Sequence, residues 1–298
     1  MISILIPVFN EDIRILAEEL SAVSSSQDQP CEILFLDDGS QEKFRILNKE
    51  CVAFKNVIYK ESEKNQGRAA IRNNMAELAN GEWLWFLDCD SKILNNKEIL
   101  NTYLKHADKN KIISGGRIYQ KSEPDDLKKR LHWKWGYHRE LIDPEKRMKN
   151  PVSHFLSNNF FLHKTVFEKI KFDSQIIGYG YEDTLFAAEA INKGISIIHI
   201  NNPVLHDGLE PVDNFLKKIE ESLDNLFRLK MICKEKKIGF PVNSKLIFAF
   251  RVLKFPVIYQ LFGKWFVRNE PIWKMQLKGP RPSLLVFDAW RLAYLLNS

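Results

Sequence analysis

An α/β fold, with a mainly parallel sheet flanked by helices and a helical extension at the C-terminal end, is predicted by three features of the 298-residue sequence. Over roughly the first two hundred residues, short apolar runs alternate with segments of helical period, as in successive β-α-β units. Two of those runs stop in the acidic turns Asp37-Asp38-Gly39-Ser40 and Asp88-Cys89-Asp90, and ligands of open α/β sheets gather at such strand ends. Beyond Val212 the strand pattern disappears and the chain reads as helical. The expected division is a sheet domain over 1–212 and a basic, aromatic-rich helical region over 213–298.

The elements follow in order. Ile2–Val8 reads as a buried first strand, and Asn10 is expected to cap a helix whose Ile13, Leu16, Leu20 and Val23 share one face. Serines 24–26 end that helix, and Glu32-Ile-Leu-Phe-Leu36 forms the second strand. Residues 57–60 give a third. A helix over 68–80, closed by Gly81 as a C-terminal cap, leads into the strand Glu82-Trp-Leu-Trp-Phe-Leu87. The charged, aromatic stretch 117–150 reads as helix and loop, and strands are expected at 157–162 and 195–200 on either side of a helix opened by Tyr179-Gly-Tyr-Glu-Asp183.

Composition excludes several classes. With 45% hydrophobic and 28% charged residues the chain shows no bias toward disorder. Cys31, Cys51, Cys89 and Cys233 stand far apart without a C-x-x-C pair, which argues against a disulfide framework or a thiolate zinc site and fits a reducing cytoplasm. The first residues lack a basic segment and a small-residue cleavage site, so no signal peptide is expected. The net charge of +6 is uneven: residues 215–298 hold 16 basic and 6 acidic residues, leaving 28 and 32 before them. Fourteen of the 35 aromatic residues lie in that basic tail, a combination suited to an anionic lipid surface. No nucleic-acid motif accompanies the charge, so nucleic acid is not an expected partner.

Three clusters carry candidate chemistry. Asp88 and Asp90, two residues apart after a buried strand, either shape a solvated turn or reach a hard divalent cation and its phosphates. Glu182 and Asp183 either favour the dipole of a helix start or offer a general base near a glycine-rich approach. His206 is either a further metal ligand or a structural strand-end histidine. Asp37 and Asp38 bind a nucleoside or shape their turn, and Arg68 and Arg72 hold a diphosphate or lie solvated on a helix face.

Taken together, Ser3-Ile-Leu-Ile-Pro-Val-Phe-Asn-Glu11, Phe35-Leu-Asp-Asp-Gly-Ser40, Asn65-Gln-Gly-Arg68 with Arg72-Asn73, Phe86-Leu-Asp-Cys-Asp-Ser91 and Tyr179-Gly-Tyr-Glu-Asp183 resemble, in this order, the family 2 glycosyltransferases of the GT-A fold. The resemblance covers residues 1 to about 210 and implies a Rossmann-like catalytic domain. It also implies a nucleotide-diphosphate sugar donor, most often a uridine one, Mn²⁺ or Mg²⁺, and inversion at the anomeric carbon. Carried over residue by residue, it places Pro7, Phe9, Glu11, Asp37 and Asp38 at the donor, while Arg68 and Arg72, with Gly67 beside them, are candidate donor contacts on grounds of charge. Asp88 falls near the ribose and metal, and Asp90 and His206 fall on the metal. Asp183 is the implied base, with Glu182 beside it. Tyr181 departs from the glycine or tryptophan common in related motifs, and the Q-x-x-R-W motif of processive synthases is absent, so a processive polymerase is not expected.

The expected reaction moves a sugar to a saccharide or lipid-linked acceptor in cell-surface polysaccharide synthesis, at the cytoplasmic face of a membrane. Arg251, Lys254, Pro256 and Lys264 interrupt the apolar stretch 246–267, so the tail is expected to lie on a bilayer rather than cross it, or to pack on the catalytic domain or in a homodimer contact. A sugar-phosphate nucleotidyltransferase would place a glycine-rich basic loop after the first strand, where Pro7-Val-Phe-Asn-Glu11 stands instead. A non-catalytic nucleotide-sugar-binding protein would not need both Asp90 and Asp183. Trp133 and Trp135 stack on a sugar ring or pack in a core.

Overall fold

A computed structural model describes residues 1–94, 98–242 and 244–298. In chain order its main elements are β1 (Ile2–Val8), α1 (Arg14–Ser25), β2 (Cys31–Asp37), α2 (Glu42–Asn48), β3 (Val57–Glu61), α3 (Arg68–Leu78), β4 (Trp83–Leu87), β5 (Ser91–Lys92), α4 (Ile99–Lys105), β6 (Lys111–Ser114) and β7 (Arg117–Ile118). They continue with α5 (Arg130–Trp135), α6 (Pro144–Met148), β8 (Asn159–His163), α7 (Lys164–Ile170), α8 (Glu182–Asn192), β9 (Ser196–His199) and β10 (Val204–His206). The last are α9 (Val212–Glu235), α10 (Lys245–Leu253), α11 (Pro256–Ile258), α12 (Lys264–Leu277) and α13 (Leu284–Asn297).

The chain packs as two compact units. The first comprises Met1–Ile118, Ile142–Gly178 and Glu182–Gly208. Its main sheet has the order β3-β2-β1-β4-β8-β6-β9 among the described residues, with β8 antiparallel to both neighbours and the other pairs parallel. Strands buried on both faces need continuous apolar runs, and β1 and β4 have them: Ile4 and Trp85 face one core, Leu5 and Phe86 the other. Removing one such side chain from water is worth about 1.5–3 kcal/mol. The amide of Asn159 joins several elements inside this unit. Its oxygen accepts from Trp85 Nε1 (2.9 Å) and the Tyr103 hydroxyl (2.5 Å), and its nitrogen donates to the carbonyls of Gly116 (3.0 Å) and Asn202 (2.9 Å). A buried amide with all these groups paired fixes one arrangement of strands.

The second unit comprises Tyr119–Leu141, Tyr179–Tyr181 and Leu209–Ser298. Leu131 packs in its core with Phe215, Leu223, Phe287 and Trp290, so residues 119–141 group with the C-terminal helices rather than with the sheet. Trp133 is buried and donates to Gln120 O at 2.8 Å, while Trp135 packs edge-on against Phe287. Both tryptophans therefore serve the interior. No single helix among the described residues is long and apolar enough to cross a membrane; α10 and the run Pro256–Leu277 meet that measure only as a pair bent by 87°.

Two local expectations are corrected. Asn10 does not cap α1, which starts after Ile13; it takes a left-handed conformation (φ 55°) and accepts from Gln41 N at 2.8 Å, tying the loop after β1 to the loop after β2. Gly81 is not a helix cap either. A β-carbon there would lie 2.6 Å from Ser3 N, and Gly81 N donates to Ser3 Oγ, whose hydroxyl donates to buried Glu32. Glycine is required by the close approach of two backbones. Gly81→Ala should lower stability by about 1–3 kcal/mol, whereas Gly239→Ala, with nothing within 4 Å, should leave the thermal midpoint unchanged; equal melting of the two variants would refute the packing argument.

Candidate functional site

Parallel register brings the strand ends together. Val8 lies beside Asp37, Asp37 beside Glu61, and Leu5 beside Phe86, so the segments following β1, β2 and β4 emerge at one edge of the sheet. Pro7 and Glu11 are half-buried there, and Phe9 is 51% exposed despite its apolar ring. Asp37 is fully buried and its oxygens accept from Ser40 N (2.7 Å) and the Tyr59 hydroxyl (3.1 Å), which commits it to shaping the turn rather than to a ligand. Asp38 accepts from Gln66 N (2.7 Å) and Gly67 N (3.1 Å), fixing the loop that opens α3. Burial, only partly offset by these bonds, raises its carboxyl above the usual value.

Helix α3 then presents two arginines with different tasks. Arg68 Nε donates to Glu182 Oε1 at 2.5 Å. Arg72 is neither solvated nor open to a diphosphate: it is 2% exposed, donates to Asp88 Oδ1 (2.7 Å) and to the Arg68 carbonyl (3.1 Å), and lies near the Phe172 ring. It holds Asp88 in place. A buried arginine with a carboxylate partner is the arrangement in which burying the charge is tolerable.

Asp90 meets His206 across 116 residues of sequence. The short strands β5 and β10 pair antiparallel, setting His206 opposite Ser91, and Asp90 Oδ1 lies 3.4 Å from His206 Nδ1. Burial would raise the Asp90 carboxyl, but His206, Arg117 and Arg68 outweigh it and hold the group well below the usual range. Asp207 N donates to the Asp90 carbonyl at 2.9 Å, and a β-carbon on Gly208 would overlap the Asp90 carboxylate. Only glycine leaves that carboxylate in position.

These donors fit a divalent ion of a particular kind. Among the described residues no group of three His, Cys, Asp or Glu side chains could cage a metal unaided. Among the described residues Asp90 Oδ1 is buried without a hydrogen-bond partner, 3.4 Å from the His206 imidazole. A hard cation that keeps waters and shares itself with substrate phosphates needs only one or two protein ligands, so Asp90 and His206, with Asp88 nearby in sequence, suit an ion arriving with a diphosphate. Cys89, between the aspartates, is kept a thiol by burial and by their charge.

Glu182 and Asp183 open α8. Immediately before them Gly178, Gly180 and Tyr181 all take positive φ, and 69° at Tyr181 is a conformation in which a non-glycine residue is strained. Burial would raise the Glu182 carboxyl, yet Arg68 and Arg72 draw it down. Asp183 goes the other way: burial and the adjacent Glu182 charge push it up to about 7. Its Oδ1 accepts from Thr184 N at 2.7 Å, and its Oδ2 takes no hydrogen bond among the described residues. Two neighbouring carboxylates thus have well-separated proton affinities, an arrangement that suits one to hold charge and the other to exchange a proton near neutrality.

Sequence reasoning missed three contributors: Gly208, Arg117 and the positioning role of Arg72. Gly208 lies two residues after His206, but its requirement comes from Asp90, distant in the chain.

Comparison with known proteins identifies the family and the fold. The profile of glycosyl transferase family 2 matches residues 3–171, more than half of the chain. An uncharacterized glycosyltransferase of Methanocaldococcus jannaschii is 23% identical over 252 residues, 80% of this chain and 81% of that protein. The poly(ribitol-phosphate) β-N-acetylglucosaminyltransferase TarP of Staphylococcus aureus is 24% identical over 66% of this chain and 59% of its own. Shorter matches span 17% of a Rickettsia bellii glycosyltransferase and 39% of a Haemophilus influenzae one, at 30% and 38% identity. Among solved structures, the S. aureus TarS 1–349 fragment aligns with a TM-score of 0.52 over 97% of this chain and 89% of that one at 16% identity. The Pyrobaculum calidifontis mannosyltransferase PcManGT reaches 0.54 over 80% and 64%, also at 16%. Matched by the family profile through β1, β2, α3 and β4, and sharing the fold of these structures, the chain belongs to glycosyl transferase family 2, on a GT-A fold.

Proposed function

We propose that the protein transfers a sugar from a nucleotide-diphosphate sugar, a UDP-sugar first among them, to a hydroxyl of a saccharide or lipid-linked saccharide, with inversion at the anomeric carbon, in cell-surface polysaccharide synthesis. One observation carries the reading: Arg68 is ion-paired to Glu182 and its charge also reaches Asp90 and Asp183, so the candidate metal carboxylate and the candidate base share one field. The known neighbours support it. PcManGT is solved with GDP-mannose and Mn²⁺, and the glucosyl-3-phosphoglycerate synthase of Mycobacterium tuberculosis with UDP and Mn²⁺ or Mg²⁺.

In this reading Pro7, Phe9, Glu11 and Asp38 line the nucleoside site, and Asp37 supports it from the turn. Asp90 and His206 hold a Mn²⁺ or Mg²⁺ ion with Asp88 beside them. When bound, the ion offsets the charge that develops on the departing diphosphate. Asp183 Oδ2 accepts the acceptor's hydroxyl proton as that oxygen forms its bond to C1 and the bond from C1 to the diphosphate oxygen breaks. Glu182, kept ionised by Arg68, raises the proton affinity of Asp183 and orients the sugars.

Three outcomes are expected. Asp183→Asn should retain UDP binding while losing about 10²–10⁴-fold in turnover, and wild-type turnover should rise with pH through an apparent pKa near the value of about 7 held by Asp183; a pH-independent rate, or a fully active variant, removes Asp183 from the role. The same group predicts a stability effect. Its folded pKa of about 7 exceeds the ordinary 3.8, so the folded state binds the proton more tightly and wild-type stability falls as pH rises between those values. The melting temperature of Asp183→Asn relative to wild type should therefore increase from acid to mildly alkaline pH. In calorimetry with UDP, Mn²⁺ should tighten binding to the wild type, and Asp90→Ala and Gly208→Ala should both lose that increment; an undiminished Mn²⁺ effect in Asp90→Ala would overturn the metal assignment.

A further inference from the structure

The helical unit carries two kinds of apolar surface. Leu277, Phe287 and Trp290 are buried in its core, and Leu246 and Phe250 pack against that core from α10. Around the bend between α10 and the run Pro256–Leu277 the opposite holds: Phe255, Val257, Leu261, Phe262 and Trp265 are each 56–72% exposed. Large aromatic and aliphatic side chains concentrated this way mark an interaction surface.

The surrounding charge selects the partner. Residues 239–285 contain eight Lys and Arg and one acidic residue, Glu270, which accepts from Trp290 Nε1 at 2.7 Å. Arg251, Lys254, Lys264 and Arg268 are exposed and form no salt bridge among the described residues. A second copy of the chain docking on this face would bring like charges together, whereas an anionic bilayer supplies the missing countercharge and takes up the apolar side chains. The run between Lys254 and Lys264 is nine residues, about 14 Å as a helix against a hydrocarbon core of about 30 Å. It is therefore long enough to enter the interface and too short to span. Lysines at its two ends can keep their ammonium groups among the lipid phosphates while their stems lie along the apolar layer.

We propose that the bend from α10 into α12 docks on an anionic lipid surface, with Phe255, Val257, Leu261 and Phe262 entering the interface and Arg251, Lys254, Lys264 and Arg268 meeting the phosphates. This rests on the helical unit alone and stands whether or not the sugar-transfer reading holds. The test is flotation of the full chain with phosphatidylcholine vesicles and with vesicles of phosphatidylcholine and phosphatidylglycerol in equal parts. The protein should float with the second and not the first, and concentrated NaCl should release most of it. Phe255→Ser/Leu261→Ser/Phe262→Ser should weaken association at least about tenfold and Lys254→Glu/Lys264→Glu by a similar factor, each with an unchanged circular dichroism spectrum because the altered side chains are exposed. Wild type that ignores the anionic vesicles, or binding that survives the serine substitutions, overturns the proposal. Sedimentation velocity covers the rival occupant: a dimer broken by the serine variant, in protein that does not float, assigns the face to a second copy.

Discussion

Acidic side chains crowded at one edge of a sheet repel each other, and the geometry of this site depends on how that repulsion is met. Asp88, Asp90, Glu182 and Asp183 come from two separate stretches of chain, and two arginines one turn apart on α3 reach them. Arg72, buried and paired to Asp88, behaves as part of the scaffold. Arg68, paired to Glu182 and 37% exposed at its side chain, stands between scaffold and solvent. Their charge is distributed unequally, and the inequality sets the proton affinities: Glu182 is drawn down while Asp183, which receives less of it, is driven up. The site is tuned by an uneven sharing of two cations rather than by any single contact.

The sheet was legible because its signal is local. Apolar runs mark β1, β2 and β4 whatever the rest of the chain does, the last two closed by acidic turns, and parallel pairing then delivers their ends to one edge. The paired carboxylates were legible for the same reason, as residue types at a strand end or a helix start. Features that depend on remote partners were not. Strands β5 and β10 have two and three residues, too few for any period to register, yet their pairing brings His206 to Asp90. Arg72 read as either a diphosphate contact or a solvated residue, because only Phe172 and Asp88 make it an interior one. Asn10 and Gly81 carried the right residue types for caps but were claimed by Gln41, in the loop after β2, and by Ser3, within β1.

Residues 119–141 make the same point for packing. Leu131, Trp133 and Trp135 announce apolar burial, but their sequence gives no sign of where. His132 stacks on Phe215 with ring centroids 4.4 Å apart, and Trp135 meets Phe287. A segment between two strands of the sheet unit thus finds its partners in helices about 80 to 150 residues later. Local composition tells that a residue will be buried; only the assembled chain decides against what.

The order in which the site's parts occur along the chain has a consequence for how the protein comes into being. Asp38, Arg68, Asp88 and Asp90 all lie within the first 90 residues, whereas Glu182, Asp183 and His206 arrive only after another 90 or more. During synthesis the early half can complete β1 to β4 well before the late half exists. A growing chain therefore carries Arg68 and Asp90 before Glu182 and His206, the groups that meet them in the folded protein, exist. The candidate site is thus assembled only when the sheet unit itself is complete, its last strands supplying partners for side chains laid down at its start.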